Sequence, residues 1–211
     1  MPYRASEPVR RLLLTALERL CALAALFLFL PVLFGVACAI VCFSRRSPLI
    51  AHRRLGRGGS PFWVLKFRTM WPAAAEPADL RLVESVIEEP LESGKDADDP
   101  RVTSAFARFC RRHSIDELPQ LVHVVCGQMS LVGPRPITRG EWRLHYEAVA
   151  PEVLDVKPGL SGLWQVNGRS RLSYEQRRRL DQILVRNRSL KLYFQILLWT
   201  LPEIWNGRNA W

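Results

Sequence analysis

The longest apolar run in the chain extends from Leu20 to Phe43 and contains no charged side chain. As a straight helix this run would measure about 36 Å, which exceeds the roughly 30 Å hydrocarbon core of a bilayer. The run therefore predicts a membrane helix. Pro31 lies near its middle, where a proline removes a helical hydrogen bond and favours a kink.

Basic residues flank both ends of this run, with Arg19 before it and Arg45 and Arg46 after it. Cationic flanks favour the cytoplasmic side of a membrane, so both ends are expected on the same side. A kinked hairpin that enters and leaves through one leaflet satisfies the proline and the charges together, and an ordinary single-pass helix is the alternative. Residues 1–46 therefore form an N-terminal membrane unit, followed by a globular unit over residues 47–211.

Short helix-like and strand-like patterns fill the globular unit. Alternating aromatic and β-branched residues predict a strand over Phe62–Arg68. Helical periodicity and capping signals predict helices over 104–112, 142–148, 174–185 and 189–205, and another that ends before Gly127. For the last of these, Ser114 and Glu117 match the spacing of a capping box, and Pro119 requires that the first turn be close. The predicted fold class is α with a few short β-strands.

Two segments leave alternatives open. Residues 71–100 are rich in proline and acidic residues, which predicts a solvated, mobile loop with room for one helix near 78–88. That loop is either a variable excursion without chemistry or a lid over a site. The apolar segment 189–205 is too short to span a bilayer. It could lie in the membrane interface, with Trp199 and Trp205 at headgroup depth, or it could be buried in the core.

Charge narrows the classes of partner. The formal net charge is +10, and 26 of the 30 basic residues are arginine. This balance favours phosphate-rich partners, which include nucleic acids, nucleotides and anionic lipids. The charge alone does not choose among them.

Asp116 and Glu117 are the central candidates for chemistry. The predicted helix start would surround them with N–H groups and partial positive charge. An ionised carboxylate there could attack phosphorus and form an acyl phosphate, or hold Mg²⁺ through oxygen. Adjacent helical residues point about 100° apart, so the two acids are expected to differ in role. Viewed in isolation, capping the helix is the simpler role for this pair.

Cationic turns supply the context for this pair. Prolines on both sides of Arg135, in Gly133-Pro134-Arg135-Pro136, restrict the backbone and would hold a guanidinium ready for phosphate oxygens. Lys66 and Arg68 are spaced to share one face of the predicted strand. The turn at Lys157 and the segment that contains Gln165, Asn167 and Arg169 add further cations and amides.

Four motifs in this order make the chain resemble the bacterial sugar transferases, which are monotopic phosphoglycosyl transferases. The resemblance covers about Arg10 to Trp205. Its motifs are Lys66-Phe67-Arg68-Thr69-Met70, the segment Ser114–Leu121, the segment Met129–Pro136, and Lys157–Gly162 leading into Gln165–Arg169.

The resemblance implies transfer of a sugar 1-phosphate from a UDP-sugar to polyprenyl (undecaprenyl) phosphate, with release of UMP, at the start of polysaccharide or glycoconjugate assembly. It implies that Asp116 is the nucleophile, which forms a covalent phosphosugar intermediate and binds Mg²⁺, and that Glu117 supports it. The substrate-binding candidates are Lys66, Arg68, Gly133, Pro134, Arg135, Pro136, Gln165, Asn167, Arg169 and Asp181. For Asp181 the expected role is to orient an arginine.

The resemblance also implies a location and partners. It implies a re-entrant helix broken at Pro31, interfacial amphipathic helices, and a catalytic domain on the cytoplasmic face of a bacterial inner membrane. Membrane lipid and downstream glycosyltransferases are the further partners, and nucleic acid is not expected. A non-catalytic scaffold that binds anionic lipid and an arginine-rich nucleic-acid binder remain the rival interpretations.

The chain departs from the family pattern at three positions that matter below. Members usually have Asn where this chain has His123, and Asp where it has Gln128 or Tyr193. The sugar, the polyprenol and the pathway are not predicted by the sequence.

Overall fold

The computed structural model describes residues 6–70, 81–86, 102 and 104–207. Within these residues the protein is mostly helical with a few short strands, as predicted. The helices are α1 (Ser6–Ser44), α2 (Ala105–Arg112), α3 (Leu121–Val125), α4 (Arg139–Glu141), α5 (Leu163–Val166), α6 (Tyr174–Arg186) and α7 (Leu190–Asn206). The strands are β1 (Leu49–Leu55), β2 (Pro61–Phe67), β3 (Val83–Val86), β4 (Ser130–Val132) and β5 (Gly159–Ser161).

Helix α1 contains 39 residues and is assigned without interruption through Pro31. The basic lead-in and the apolar run are therefore one element. Its segment Leu12–Ser44 is long and apolar enough to cross a membrane, with a mean hydropathy of 2.8 in its most apolar window. The re-entrant course itself stays a prediction.

Both halves of α1 pack against the rest of the fold. Ala22 lies in a cluster with residues of α3, and Val36 and Ile40 lie in another with residues of β2 and α2. Residues 27–32, with Pro31 among them, are all exposed. The middle of α1 thus stands clear of the globular unit on all sides.

A three-stranded sheet in the order β2-β1-β3 forms the first part of the globular unit. β1 pairs antiparallel with β2, from Leu49 opposite Phe67 to Leu55 opposite Pro61. β3 pairs parallel with β1, with Leu49 opposite Val83. The helix predicted near 78–88 is therefore wrong for residues 83–86, because their backbone pairs with β1. The rest of the predicted 71–100 loop, and with it the question of a lid, lies largely outside the described residues.

The second part is a parallel pair of strands covered by helices. Ser130 pairs with Gly159 and Val132 with Ser161. Val132 also packs in a core cluster with residues of α5, α6 and α7. The predicted helices over 104–112, 174–185 and 189–205 are confirmed as α2, α6 and α7. The helix predicted over 142–148 is found as α4 followed by a π-helical turn, Trp142–Tyr146.

Helix α7 has features of both alternatives for its segment, burial in the core and exposure at a membrane interface. Ile196 is fully buried in the core cluster with Val132. Phe194, Leu198 and Leu201 are exposed, and Trp205 is 84% exposed. The helix therefore packs on the core along one stripe and presents apolar side chains outward along another.

The predicted capping box at Ser114 is wrong. Ser114 has a left-handed backbone (φ 56°) and its side chain caps nothing. A 3-10 helix, Ile115–Gln120, follows and leads directly into α3, with Pro119 inside it. The reason is long-range, since the Ser114 hydroxyl accepts a hydrogen bond from Arg169, 55 residues further along.

Candidate active site

The Asp116–Glu117 pair lies where the globular unit meets the second half of α1. The 3-10 helix that carries the pair packs against β2. Ile115, the residue before the pair, contacts the cluster that contains Val36 and Ile40 of α1. Asp116 is only 5% exposed. Asp116 is thus buried, and it directly follows a residue that packs on α1.

The pKa of the Cys110 thiol is affected by the charge of Asp116. Burial raises the pKa of the Cys110 thiol to about 11, and the negative charge of Asp116 contributes to the same shift. The thiol is therefore neutral near pH 7 and is a poor nucleophile. Of these two neighbouring groups, only the carboxylate is suited to attack phosphorus.

Glu117 has a different partner from Asp116. Its Oε1 lies 3.0 Å from Lys66 Nζ, and both side chains are partly exposed. Lys66 extends from β2, so this ion pair joins the sheet to the 3-10 helix. The two acids therefore differ in environment, since one is buried and the other is paired with a cation at the rim.

Arg68 has different partners from Lys66 and does not lie in the Lys66–Glu117 ion pair. Its Nε donates to the carbonyl of Ser47 at 2.8 Å, and its terminal nitrogen lies 2.5 Å from Glu84. Arg68 is buried by these contacts. It ties the segment between α1 and β1 to β3, which is a structural role in this arrangement.

His123 anchors β2 to the helix that follows the acidic pair. Its Nε2 accepts the backbone N–H of Leu65 at 3.0 Å, and its Nδ1 donates to Gln128 Oε1 at 2.8 Å. Burial lowers the pKa of His123, while the Gln128 contact opposes that shift. His123 and Gln128 are two of the positions at which the resemblance implies other residues. In this chain the two side chains are hydrogen-bonded to each other.

The Gly133–Pro134 turn is built on a close backbone approach. The N–H of Gly133 donates to Ser161 O at 2.9 Å, and the N–H of Gly159 donates to Pro134 O at 2.8 Å. A Cβ atom on Gly133 would lie 2.6 Å from the carbonyl oxygen of Lys157. Only glycine fits here, so the residues before Arg135 and Pro136 are fixed onto β5.

Arg135 belongs to a group that the sequence did not reveal in full. The guanidinium carbons of Arg135 and Arg177 each lie 5.3 Å from the ring of Trp164. Burial lowers the pKa of Arg177, and the nearby Arg135 lowers it further. Arg177 lies in a run of three arginines, and no local sequence signal pairs it with Trp164. The contact arises only when the turn, α5 and α6 meet.

Asp181 lies beneath this group and is fully buried. Burial raises its pKa to about 7, against the hydrogen bonds from Tyr146 and the Arg135 backbone and the charges of Arg135 and Arg177. Tyr146 Oη donates to Asp181 Oδ2 at 3.1 Å. This position beside two arginines fits the expected orienting role.

The three candidate residues on and after α5 have different contacts. Arg169 reaches the acidic pair's segment, where it donates to Ser114 Oγ at 3.0 Å. Asn167 instead donates back to Leu163 O at 2.7 Å. Gln165 lies on α5, with its side-chain oxygen close to Gly162. The structure thus brings Lys66 and Arg169 to the acidic pair, and Asp181 to Arg135.

Metal binding would depend on the substrate. Within the described part of the chain, no three His, Cys, Asp or Glu side chains are grouped to hold a metal ion. Mg²⁺ is commonly held by one or two carboxylates together with substrate phosphates and water. The buried Asp116 suits that type of site and would not suit a metal held by protein ligands alone.

Comparison with known proteins shows which family the chain resembles along its length. The family model for bacterial sugar transferase matches residues 9–207. The chain is 39% identical to the exopolysaccharide production protein ExoY of Rhizobium meliloti, over 98% of this chain and 92% of that relative. It is 38% identical to the undecaprenyl-phosphate galactose phosphotransferase of Salmonella typhimurium, over 87% of this chain and 42% of that relative.

A third relative has a donor in its name. The UDP-glucose:undecaprenyl-phosphate glucose-1-phosphate transferase of Xanthomonas campestris is 30% identical, over 92% of this chain and 39% of its own length. The ExoY protein matches along nearly its whole length, whereas the two named transferases are more than twice as long as the matched region.

Proposed function

Because the chain belongs to the bacterial sugar transferase family and is a phosphoglycosyl transferase, we propose that it moves a sugar 1-phosphate from a UDP-sugar to polyprenyl phosphate and releases UMP. The names of its relatives support transfer of a sugar phosphate to a lipid carrier and a role in exopolysaccharide production. The observation that carries the proposal is the buried Asp116, held beside α1 and next to the Glu117–Lys66 ion pair.

The first half of the reaction uses Asp116 as a nucleophile. A carboxylate oxygen of Asp116 attacks the β-phosphorus of the UDP-sugar and forms a new P–O bond. The bond from that phosphorus to the bridging oxygen breaks, and UMP leaves with the electron pair. The product is a phosphosugar joined to Asp116 as a mixed anhydride.

The second half restores the enzyme. A phosphate oxygen of the polyprenyl phosphate attacks the same phosphorus, and the bond to Asp116 breaks. The sugar phosphate now lies on the lipid, and the carboxylate of Asp116 is free again. A water-soluble donor and a membrane-bound acceptor need not meet in one ternary complex, because the covalent intermediate separates the two steps.

The surrounding charges have defined roles in this scheme. Lys66, held by Glu117, and Arg169, held by Ser114, lie near enough to the pair's segment to neutralise the donor's pyrophosphate. Arg135, backed by Trp164 and Asp181, supplies a further guanidinium on a rigid turn. Asp116 would hold Mg²⁺, which would supply charge neutralisation at the leaving group.

The proposed location rests on α1. Both halves of α1 contact the globular unit, while residues 27–32 are exposed. A straight helix lying on a domain would bury one face along its whole length. The exposed middle supports a re-entrant helix with both ends on one side of a membrane. The basic residues at both ends of the apolar run favour the cytoplasmic side, and we propose the inner membrane of a bacterium as that membrane.

UMP release tests this function. Detergent-solubilised protein is incubated with a panel of UDP-sugars and Mg²⁺, with and without undecaprenyl phosphate. We expect one donor to give sustained release that requires the lipid, and a stoichiometric burst without it. Asp116→Asn should abolish both, whereas Asp155→Asn, at an exposed position, should leave both unchanged. Release that survives Asp116→Asn would remove the proposed nucleophile, and no release from any donor would contradict the choice of a UDP-sugar.

A further inference from the structure

A pocket on the far side of the Gly133–Pro134 turn is not used by this mechanism. It lies between that turn, the residues before β5, and the region where α6 passes into α7. Its cavity volume is about 40 Å³, and its mouth is open to solvent. Neither Asp116 nor Glu117 lines it. The pocket therefore has to be explained separately from the acidic pair.

The pocket combines apolar walls with basic side chains. Four of its apolar residues come from four parts of the fold. These are Val132, Val156, Leu184 and Leu192. Its charged lining residues are Lys157 and Arg188, and no acidic residue lines it. A pocket lined by apolar residues and by two cations suits a ligand in which an anionic group is attached to an apolar part.

The electrostatic field near Lys157 is strongly positive. Burial lowers the pKa of Lys157, and the charges of Arg19 and Arg57 lower it further. Glu18 acts in the opposite direction. Its carboxylate already accepts hydrogen bonds from Tyr193 Oη at 2.7 Å and from the backbone N–H of Leu131 at 3.2 Å. Several cations thus surround one engaged carboxylate, which favours an added anion.

The pocket is also joined to the membrane helix. Tyr193 lines the pocket and donates to Glu18, which lies two residues before the apolar run of α1 begins. Along α7 the next residue, Phe194, is 48% exposed, and Leu198 is 65% exposed. The pocket and this outward apolar stripe therefore lie on the same helix, at the level where α1 becomes apolar.

We propose that this pocket binds the phosphate group of an anionic membrane lipid. Lys157 and Arg188 contact the phosphate oxygens, and Val132, Leu184 and Leu192 contact the apolar part next to them. The apolar walls distinguish this ligand from a free phosphate ion, and the cations distinguish it from a neutral or zwitterionic lipid. Asp116 itself does not line this pocket.

Native mass spectrometry of the full chain in detergent tests the proposal. The probes are phosphatidylglycerol, polyprenyl phosphate, phosphatidylcholine and inorganic phosphate, each added alone. The test variant is Lys157→Gln/Arg188→Gln. The control is Lys191→Gln/Arg143→Gln, which removes the same charges at two exposed positions that do not line the pocket. A third variant, Lys157→Arg/Arg188→Lys, keeps both charges.

We expect wild type to retain one phosphatidylglycerol or polyprenyl phosphate after detergent removal, and not phosphatidylcholine. The occupied fraction should fall at least fivefold in the test variant and stay near wild type in the other two. Retention of polyprenyl phosphate alone would assign the pocket to the acceptor, whereas retention of both lipids would assign it to lipid phosphate in general. Equal retention of phosphatidylcholine, retention of inorganic phosphate without either lipid, or equal loss in the control variant would overturn the proposal.

Discussion

At the scale of single residues, burial separates the roles of the acids. Asp116 is buried beside a thiol whose pKa is raised to about 11, while Glu117 is paired with Lys66 at the rim. Asp181 is fully buried, and its pKa is raised to about 7. Asp181 contacts the Tyr146 hydroxyl and the Arg135 backbone, so it supports these two neighbours. The adjacency of Asp116 and Glu117 is visible in the sequence, but these differences are not.

The raised pKa of Asp181 predicts a pH dependence of stability. The native state holds this proton between about pH 4 and pH 7, where the unfolded chain has lost it. The free energy of unfolding therefore falls as the pH rises through that range, by about 4 kcal/mol at most. Asp181→Asn removes this contribution. The melting temperature of the variant minus that of the wild type should therefore become more positive from pH 5 to pH 8.

The comparison of wild type with Asp181→Asn isolates the contribution of Asp181 to the pH dependence of stability. His123 changes stability in the opposite direction, because its pKa is lowered by burial and protonation below about pH 6.5 destabilises the native state. That contribution is common to both proteins and cancels in the difference. A difference in melting temperature that is constant from pH 5 to pH 8 would show that Asp181 does not titrate in this range.

At the scale of elements, local signals predicted the helices well. Ser104, Ser173 and Ser189 each accept a hydrogen bond at the start of a predicted helix. Each of those helices has its cap and its period within a few consecutive residues. By contrast, β3 exists because it pairs with β1, and Ser114 adopts its left-handed backbone beside Arg169. Such partners are distant in sequence, so the same local signals predicted a helix and a capping box that do not form.

The same limit applies to the candidate site. The motifs identified Lys66 and Arg135 as candidates, because short sequence patterns carry them, and the family resemblance implied Asp181. They did not predict that Arg177 and Trp164 would lie against Arg135, or that Arg68 would be buried against Glu84. These outcomes depend on how separate elements meet in the fold.

A substitution in the turn before Arg135 should affect both stability and activity. Gly133→Ala places a Cβ atom 2.6 Å from the carbonyl oxygen of Lys157, so the backbone must shift. We expect a loss of stability of about 1–3 kcal/mol. We also expect kcat to fall about 10²-fold, since the neighbouring guanidinium is displaced without any change of charge.

Gly35→Ala provides the matched control for that substitution. A Cβ atom on Gly35 meets nothing within 4 Å, and the residue lies inside α1. It should leave activity unchanged and stabilise the helix by up to about 1 kcal/mol. Sugar-phosphate transfer and melting temperature are measured on both variants. Equal behaviour of the two would contradict the account of a fixed turn.

At the scale of the whole molecule, charge and apolar surface are segregated. Arg54 and Arg68 form ion pairs with Glu141 and Glu84 that hold strands in place. The exposed large apolar side chains lie mostly along α1 and on the outer stripe of α7. Large exposed apolar patches mark membrane or partner contacts. The fold thus carries a cation beside the acidic pair and an exposed apolar surface on two helices, as the proposed function requires.

The re-entrant course of α1 predicts the location of the N-terminus. A hairpin keeps the N-terminus on the cytoplasmic side with the catalytic domain, whereas a single-pass helix separates them. Fluorescent protein fused to the N-terminus should therefore fluoresce in cells, and alkaline phosphatase fused there should be inactive. Active phosphatase would establish the single-pass alternative, and fusions to the C-terminus control for the side of the catalytic domain.

The covalent role of Asp116 is the central claim, and intact-protein mass spectrometry tests it most directly. The protein is mixed with the UDP-sugar that supports UMP release, without any acceptor lipid. We predict a mass increase equal to one sugar phosphate, located on the peptide that contains Asp116, absent in Asp116→Asn and lost when polyprenyl phosphate is added. Turnover by wild type with no such adduct, or an adduct on another residue, would contradict the account.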